Sequence, residues 1–146
     1  MQENWLGCAR SYVGVPFVHQ GRDRTGLDCL GLLLCIGRDI GYLQPEAFET
    51  LACIQDYQRY PDVRRLREGL DTWLVPAESG MMQAGDITLC RIEGRAQHLA
   101  IVGAYSTDES LTLIHAYAPL QKVVEHRLDK LWHKRIAAIY RWRNTG

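Results

Sequence analysis

The chain has 146 residues, 47% of them hydrophobic and 23% charged, with 17 basic residues set against 17 acidic ones. That length suits one domain, expected to span residues 1–146, with enough core to fold without disulfide or metal staples. The composition excludes a disordered chain, and the even charge excludes broad binding to a phosphate backbone, so no nucleic-acid partner is expected.

Trp5, Cys8, Ala9 and Tyr12 recur at helical spacing, and Gly14 with Pro16 closes this first predicted helix. The opening MQENWLGCARSYVG lacks the basic-then-apolar layout of a secretory signal, so synthesis in the cytoplasm is expected. The polar, glycine-containing run from His19 to Gly26 predicts a loop. A strongly apolar helix follows over residues 29–40, with Asp28 as its N-cap and Gly41 as its stop. Leu30, Leu33, Leu34 and Gly37 share a face that Leu32 and Ile36 widen, so this helix is expected to be central. It falls short of the roughly 18 apolar residues of a membrane span, as does every other run.

After a loop through Pro45, a third helix is expected over residues 61–74, with Val63, Leu66, Leu70 and Trp73 as its inner stripe. Arg59, Arg64, Arg65 and Arg67 are interleaved there with Asp56, Asp62, Glu68 and Asp71, the pattern of a solvated face. The period then changes. Residues 87–90, 98–102, 111–115, 122–125 and 136–142 read as short strands, with Gly85-Asp86 turning into the first. Their close spacing implies antiparallel pairing. The expected fold is therefore α+β, with N-terminal helices packed on a C-terminal antiparallel sheet of about five strands.

Cys8, Cys29, Cys35, Cys53 and Cys90 are odd in number and form no CxxC pair, which argues against a disulfide framework. Four sit among apolar neighbours, as small core residues do. Cys29 differs. The cap at Asp28 puts it in the first turn of the apolar helix, where unpaired N–H groups and the helix dipole favour negative charge. A lowered thiol pKa is the expectation. Gly31, lacking a side chain, leaves room for a substrate or a strand to approach closely.

A catalytic thiol needs a base. Alternation sends His98, Ala100 and Val102 to one face of their strand, and Leu113 with His115 to one face of theirs. If those strands are neighbours, the two imidazoles meet at one sheet edge, in the order thiol, base, orienting imidazole. His19, in the loop before Cys29, is assigned to a substrate groove. His126 and His133, among charged residues, are expected to face solvent. Cys29, His98 and His115 are zinc-type ligands as well, but they lack the short paired spacing of structural zinc sites, so no metal or cofactor is expected. Trp132, Tyr140 and Trp142 are candidate interface anchors if exposed, and sheet-packing residues if not.

Five stretches, taken together and in order, resemble the NlpC-type family of cell-wall cysteine peptidases. They are Gly14-Val15-Pro16-Phe17-Val18-His19-Gln20-Gly21, Asp28-Cys29-Leu30-Gly31, Ala84-Gly85-Asp86-Ile87, His98-Leu99-Ala100-Ile101 and Ile114-His115-Ala116. The His-Gln-Gly run and the single-domain length are similar to the phage-tail and prophage branch of that family. The resemblance implies a papain-like fold and hydrolysis of peptide bonds in peptidoglycan stems, often the γ-D-glutamyl to diamino-acid bond. It implies Cys29 as nucleophile, His98 as base and acid, His115 as the third, orienting residue, and an oxyanion site at the Cys29 backbone N–H. Phe17, His19 and Asp28 are the implied substrate contacts.

The chain departs from the family where many members carry a tyrosine near Phe17 and a serine at Leu30. Its insertion between Cys29 and Gly85 is also longer than in minimal members. The family's wall-anchoring modules are not in this sequence, which makes other phage-tail proteins the expected partners, with a virion tail or the cell wall as the site of action. Two other outcomes fit the same residues. One is a papain-like amidase, acyltransferase or deamidase acting on another substrate. The other is a tail assembly component in which the trio is unused.

Overall fold

The computed structural model describes residues 4–44, 46, 68, 70–72, 74–92, 95–108 and 110–142. Helix α1, Trp5–Ser11, buries Ala9, and the buried Tyr12 at its C-cap donates its hydroxyl to the Asp39 carboxylate. Two short strands, β1 (Arg22–Asp23) and β2 (Gly26–Leu27), then pair as a small hairpin. Helix α2, Cys29–Asp39, is the apolar helix, and residues 30–37 are all buried. Gly41, just beyond it, takes φ +87°, the left-handed turn by which a chain leaves a helix end. Burying each leucine of α2 contributes about 1.5–3 kcal/mol.

The elements that follow and build the sheet and its cover are β3 (Leu74–Ala77), β4 (Ile87–Ile92), β5 (Arg95–Ala104), β6 (Leu111–Tyr117), β7 (Lys122–Arg127), α3 (Lys130–Arg135) and β8 (Ile136–Trp142). Among the described residues these six strands form one antiparallel sheet in the order β3-β8-β4-β5-β6-β7. The expected α+β arrangement is present.

Alternation along the strands divides the core in two. Ile87, Leu89, Leu99, Ile101, Ile114, Ala116 and Val123 pack with the leucines of α2 on one face. Cys90, Ala100, Val102 and Leu113 gather under Trp132 of α3 on the other. A sheet buried on both faces explains why its strands read as nearly continuous apolar runs.

Several elements differ from the expectation. Most of the third helix, including Val63, Leu66 and Trp73, lies outside the described residues, as do Cys53 and the arginines at 59, 64, 65 and 67. Residues 70–72 are helical and Leu70 is buried, but Leu74 opens β3 opposite Trp142 rather than ending a helix. β3 escapes a pattern search because it is a four-residue edge strand containing Pro76, and proline is tolerated in a sheet at its edge. The hairpin strands are too short to show a period. Helix α3 is one turn and a half of mostly charged residues, and its start is set by Asp129, whose side chain accepts from the Trp132 N–H.

Candidate active site

Asp28 organises the start of α2. Its buried carboxylate accepts from the backbone N–H of Gly31 at 2.8 Å and of Gln20 at 2.9 Å, and pairs with Arg22 Nη1 at 2.7 Å. One side chain thus caps the helix and ties the preceding loop to it. Gly31 serves the same junction, since a Cβ there would lie 2.0 Å from the Gly21 carbonyl oxygen. The close approach that Gly31 permits is that of the chain's own loop. Arg22 spends Nη1 on this junction, while its Nε and Nη2 are buried without a hydrogen-bond partner among the described residues.

Cys29 is the first residue of α2 and is half-buried. The backbone N–H groups of Leu99 and Leu30 lie close enough to its sulfur to favour the thiolate. The Leu99 contact brings the thiol to β5, one residue along the chain from His98. Burial, reinforced by the negative charge of Asp28, pushes the Cys29 thiol up to about 12, against the smaller opposite pull of those N–H groups and Arg22. This corrects the expectation of a lowered pKa. The helix start does favour the thiolate, but desolvation and an adjacent carboxylate outweigh it.

The histidines come from three neighbouring strands. His98 on β5 and His115 on β6 are buried, and His98 Nε2 lies 2.7 Å from His115 Nδ1. His115 Nε2 lies 2.8 Å from Nε2 of His126 on β7, and His126 Nδ1 lies 2.9 Å from the Arg127 carbonyl oxygen. The expected meeting of two imidazoles therefore occurs, but between adjoining strands inside the sheet, and it is extended by a third ring.

His126 is a correction: it is half-buried and bonded rather than solvent-facing, whereas His133 is exposed as expected. Its signal in the sequence is alternation along β7, which puts Val124 and His126 on one face, with His126 opposite Leu113. The β4–β5 register shifts so that Cys90 faces His98 while Arg91 faces Ala96. Residue 97 is thus a bulge directly before His98, a device that re-aims a side chain.

Trp132 covers the row. Its ring lies 4.9 Å from His115, 5.4 Å from His126 and 6.0 Å from His98, and the Arg135 guanidinium stacks on it at 4.5 Å. It is only 6% exposed, so it is a roof over the imidazoles and not an interface anchor. Tyr140 is buried too, and Trp142 is half-buried against Tyr42 at 5.4 Å. Burial pushes His98 down to about 4, helped by Arg135 and His126. His115 is pushed down to about 2 by burial, then by His98 and His126. Both rings are neutral at pH 7.

Among the described residues no group of three metal-ligating side chains is placed to hold an ion. Ring nitrogens 2.7 Å apart are hydrogen-bonded, with no space between them for zinc at its usual bond length of about 2.0–2.1 Å to each. Phe17 is half-buried against the core and bridges Leu27, two residues before Cys29. His19 is exposed in the loop.

No protein-family model matches the chain, and no curated protein is significantly similar to it in sequence. Solved structures do match. The NlpC/p60 domain of the peptidoglycan hydrolase SagA superposes with a TM-score of 0.64 at 17% identity, over 95% of this chain and 97% of that one. The fold is the papain-like NlpC/p60 fold. A NlpC/p60 family protein from Bacillus cereus gives a TM-score of 0.66 at 19% identity over 99% of this chain, which spans only 41% of that protein. An N-acetylmuramoyl-L-alanine amidase from Bacteroides uniformis gives 0.63 at 12% identity, over 97% of this chain and 98% of that one. On the NlpC/p60 frame seen here, a helix carries Cys29 at its start, and the sheet behind it carries the histidine row.

Proposed function

We propose that this chain is a cysteine hydrolase of peptide bonds in peptidoglycan stem peptides. The carrying observation is the approach of the Leu99 backbone N–H to the Cys29 sulfur. It sets a thiol at a helix start beside a strand whose adjacent residue, His98, is held by His115. Hydrolase neighbours with the same fold, one a peptidoglycan hydrolase and one an N-acetylmuramoyl-L-alanine amidase, support the substrate class.

In this reading thiol and imidazole are both neutral at rest. With substrate in place, His98 takes the thiol proton and the sulfur attacks the carbonyl carbon. The carbonyl oxygen gains negative charge, stabilised by the backbone N–H at the start of α2. Collapse breaks the C–N bond, and His98 returns the proton to the leaving amine. Water then attacks the thioester, giving a proton to His98, and the C–S bond breaks to regenerate the thiol. His115 orients His98. Phe17 and His19 are assigned as substrate contacts, and Asp28 acts through the loop it ties to the start of α2.

The favoured bond is γ-D-glutamyl to diamino acid, in a phage or prophage tail protein made in the cytoplasm and acting at the cell wall. Purified sacculi digested with the protein test this, with new termini identified by mass spectrometry. A new free amine on the diamino acid is expected, and Cys29→Ala should abolish it. Cleavage between the lactyl group and L-alanine would instead assign the amidase reaction, and unchanged cleavage by Cys29→Ala would end the cysteine mechanism.

A further inference from the structure

The histidine row ends on a backbone carbonyl, and for a row of neutral rings that end decides where every proton sits. A carbonyl oxygen only accepts, so the Arg127 oxygen 2.9 Å from His126 Nδ1 requires a proton on that nitrogen. A neutral imidazole carries one N–H, which leaves His126 Nε2 bare and accepting. Its partner His115 Nε2, 2.8 Å away, is then the donor. His115 Nδ1 is left to accept, and across 2.7 Å it takes its hydrogen bond from His98 Nε2.

His98 therefore keeps its lone pair on Nδ1. The reverse order for neutral rings would press a bare His126 Nδ1 against the carbonyl lone pairs. Burial, which holds His98 and His115 neutral, favours the one permitted order.

We propose that His126, anchored on the Arg127 carbonyl, is a positioning residue that fixes the tautomer of His98 two rings away and so keeps Nδ1 of His98 bare as the base for Cys29. The proposal rests on the reading of Cys29 and His98 as nucleophile and base. It adds a residue whose hydrogen bonds go to His115 and the Arg127 carbonyl, and which reaches His98 only through His115. Trp132 contributes by excluding water, which would otherwise supply either ring with an alternative donor or acceptor. The stakes are high, because a base in the wrong tautomer costs about 10⁴-fold in kcat in the serine-triad counterpart.

The test is two-bond ¹H–¹⁵N NMR of the full chain with labelled histidine at pH 8, where ordinary imidazoles are neutral. The expected pattern is a proton on Nε2 of His98, on Nε2 of His115 and on Nδ1 of His126. A proton on Nδ1 of His98 would overturn the proposal without any variant. His126→Phe keeps the bulk but removes the acceptor, so His115 and His98 should become tautomer mixtures. kcat should then fall about tenfold with KM unchanged. In His126→Gln the amide oxygen accepts from His115, and both the pattern and kcat should recover. Wild-type tautomers and kcat in His126→Phe would also overturn the proposal. Failure of the hydrolase reading looks different: the wild type would cleave no stem peptide, while the tautomer pattern would stand.

Discussion

The two sides of the site are assembled in opposite ways. Around Cys29, apart from the Leu99 N–H of β5, the surroundings are local: the cap, the tied loop and the close-packed Gly31 lie within about ten residues of the sulfur, and Asp28 holds them together. Around His98 almost nothing is local. His115 is 17 residues away, His126 a further 11, and the Trp132 roof comes from a different element again. Yet burial acts on both sides toward one result, raising the thiol and lowering the imidazoles. In the proposed mechanism the resting pair is therefore neutral, and a charged pair is made when substrate arrives. On the proposed reading, a local motif supplies the nucleophile, and the tertiary structure holds the base in a usable state.

Activity gives the strongest test of that contrast. Replacing His98 with alanine removes the proposed base and should lower kcat by about 10³-fold or more, whereas His115→Ala, which removes only the ring that holds it, should cost about 10–100-fold. Steady-state cleavage of a stem peptide measures both, and equal losses would make the two rings a single unit. Stability gives the next. Trp132→Ala opens the roof over the rings and should cost about 3–5 kcal/mol, read by urea denaturation. A smaller loss would mean that α3 contributes little to the distal face of the sheet.

The smallest expected effect is on the pH dependence of stability. His98 and His115 are pushed down to about 4 and 2, while an unfolded histidine titrates near 6.5. Between those values the unfolded chain binds protons that the folded one refuses. Their contribution to stability is thus complete above about pH 6.5 and is lost as pH falls, by up to about 1.4 kcal/mol per pH unit for each ring. Urea midpoints from pH 7 to pH 5 should show this slope, and His115→Asn should roughly halve the histidine share. A flat profile would mean that the rings are solvated.

Much of this architecture is legible in the amino-acid sequence. The Asp28 cap, the buried α2, the Gly41 stop and the faces carrying His98 and His115 follow from capping chemistry and from the helical and strand periods, which act over a few residues. β8 runs from Ile136 to Trp142 as its apolar pattern indicates. His126 and Trp132 are legible only in part. Their strand and cap signals are present, but a charged neighbourhood along the chain says nothing of what lies across the sheet.

The position of the thiol, the choice of central helix and the strand faces that carry imidazoles are all set by near-neighbour geometry, so the order of residues is enough to place them. The protonation of Cys29, the third ring, the roof and the pairing of β3 with β8 are not of that kind. They depend on desolvation and on contacts between distant segments, and both come into being when the chain closes on itself.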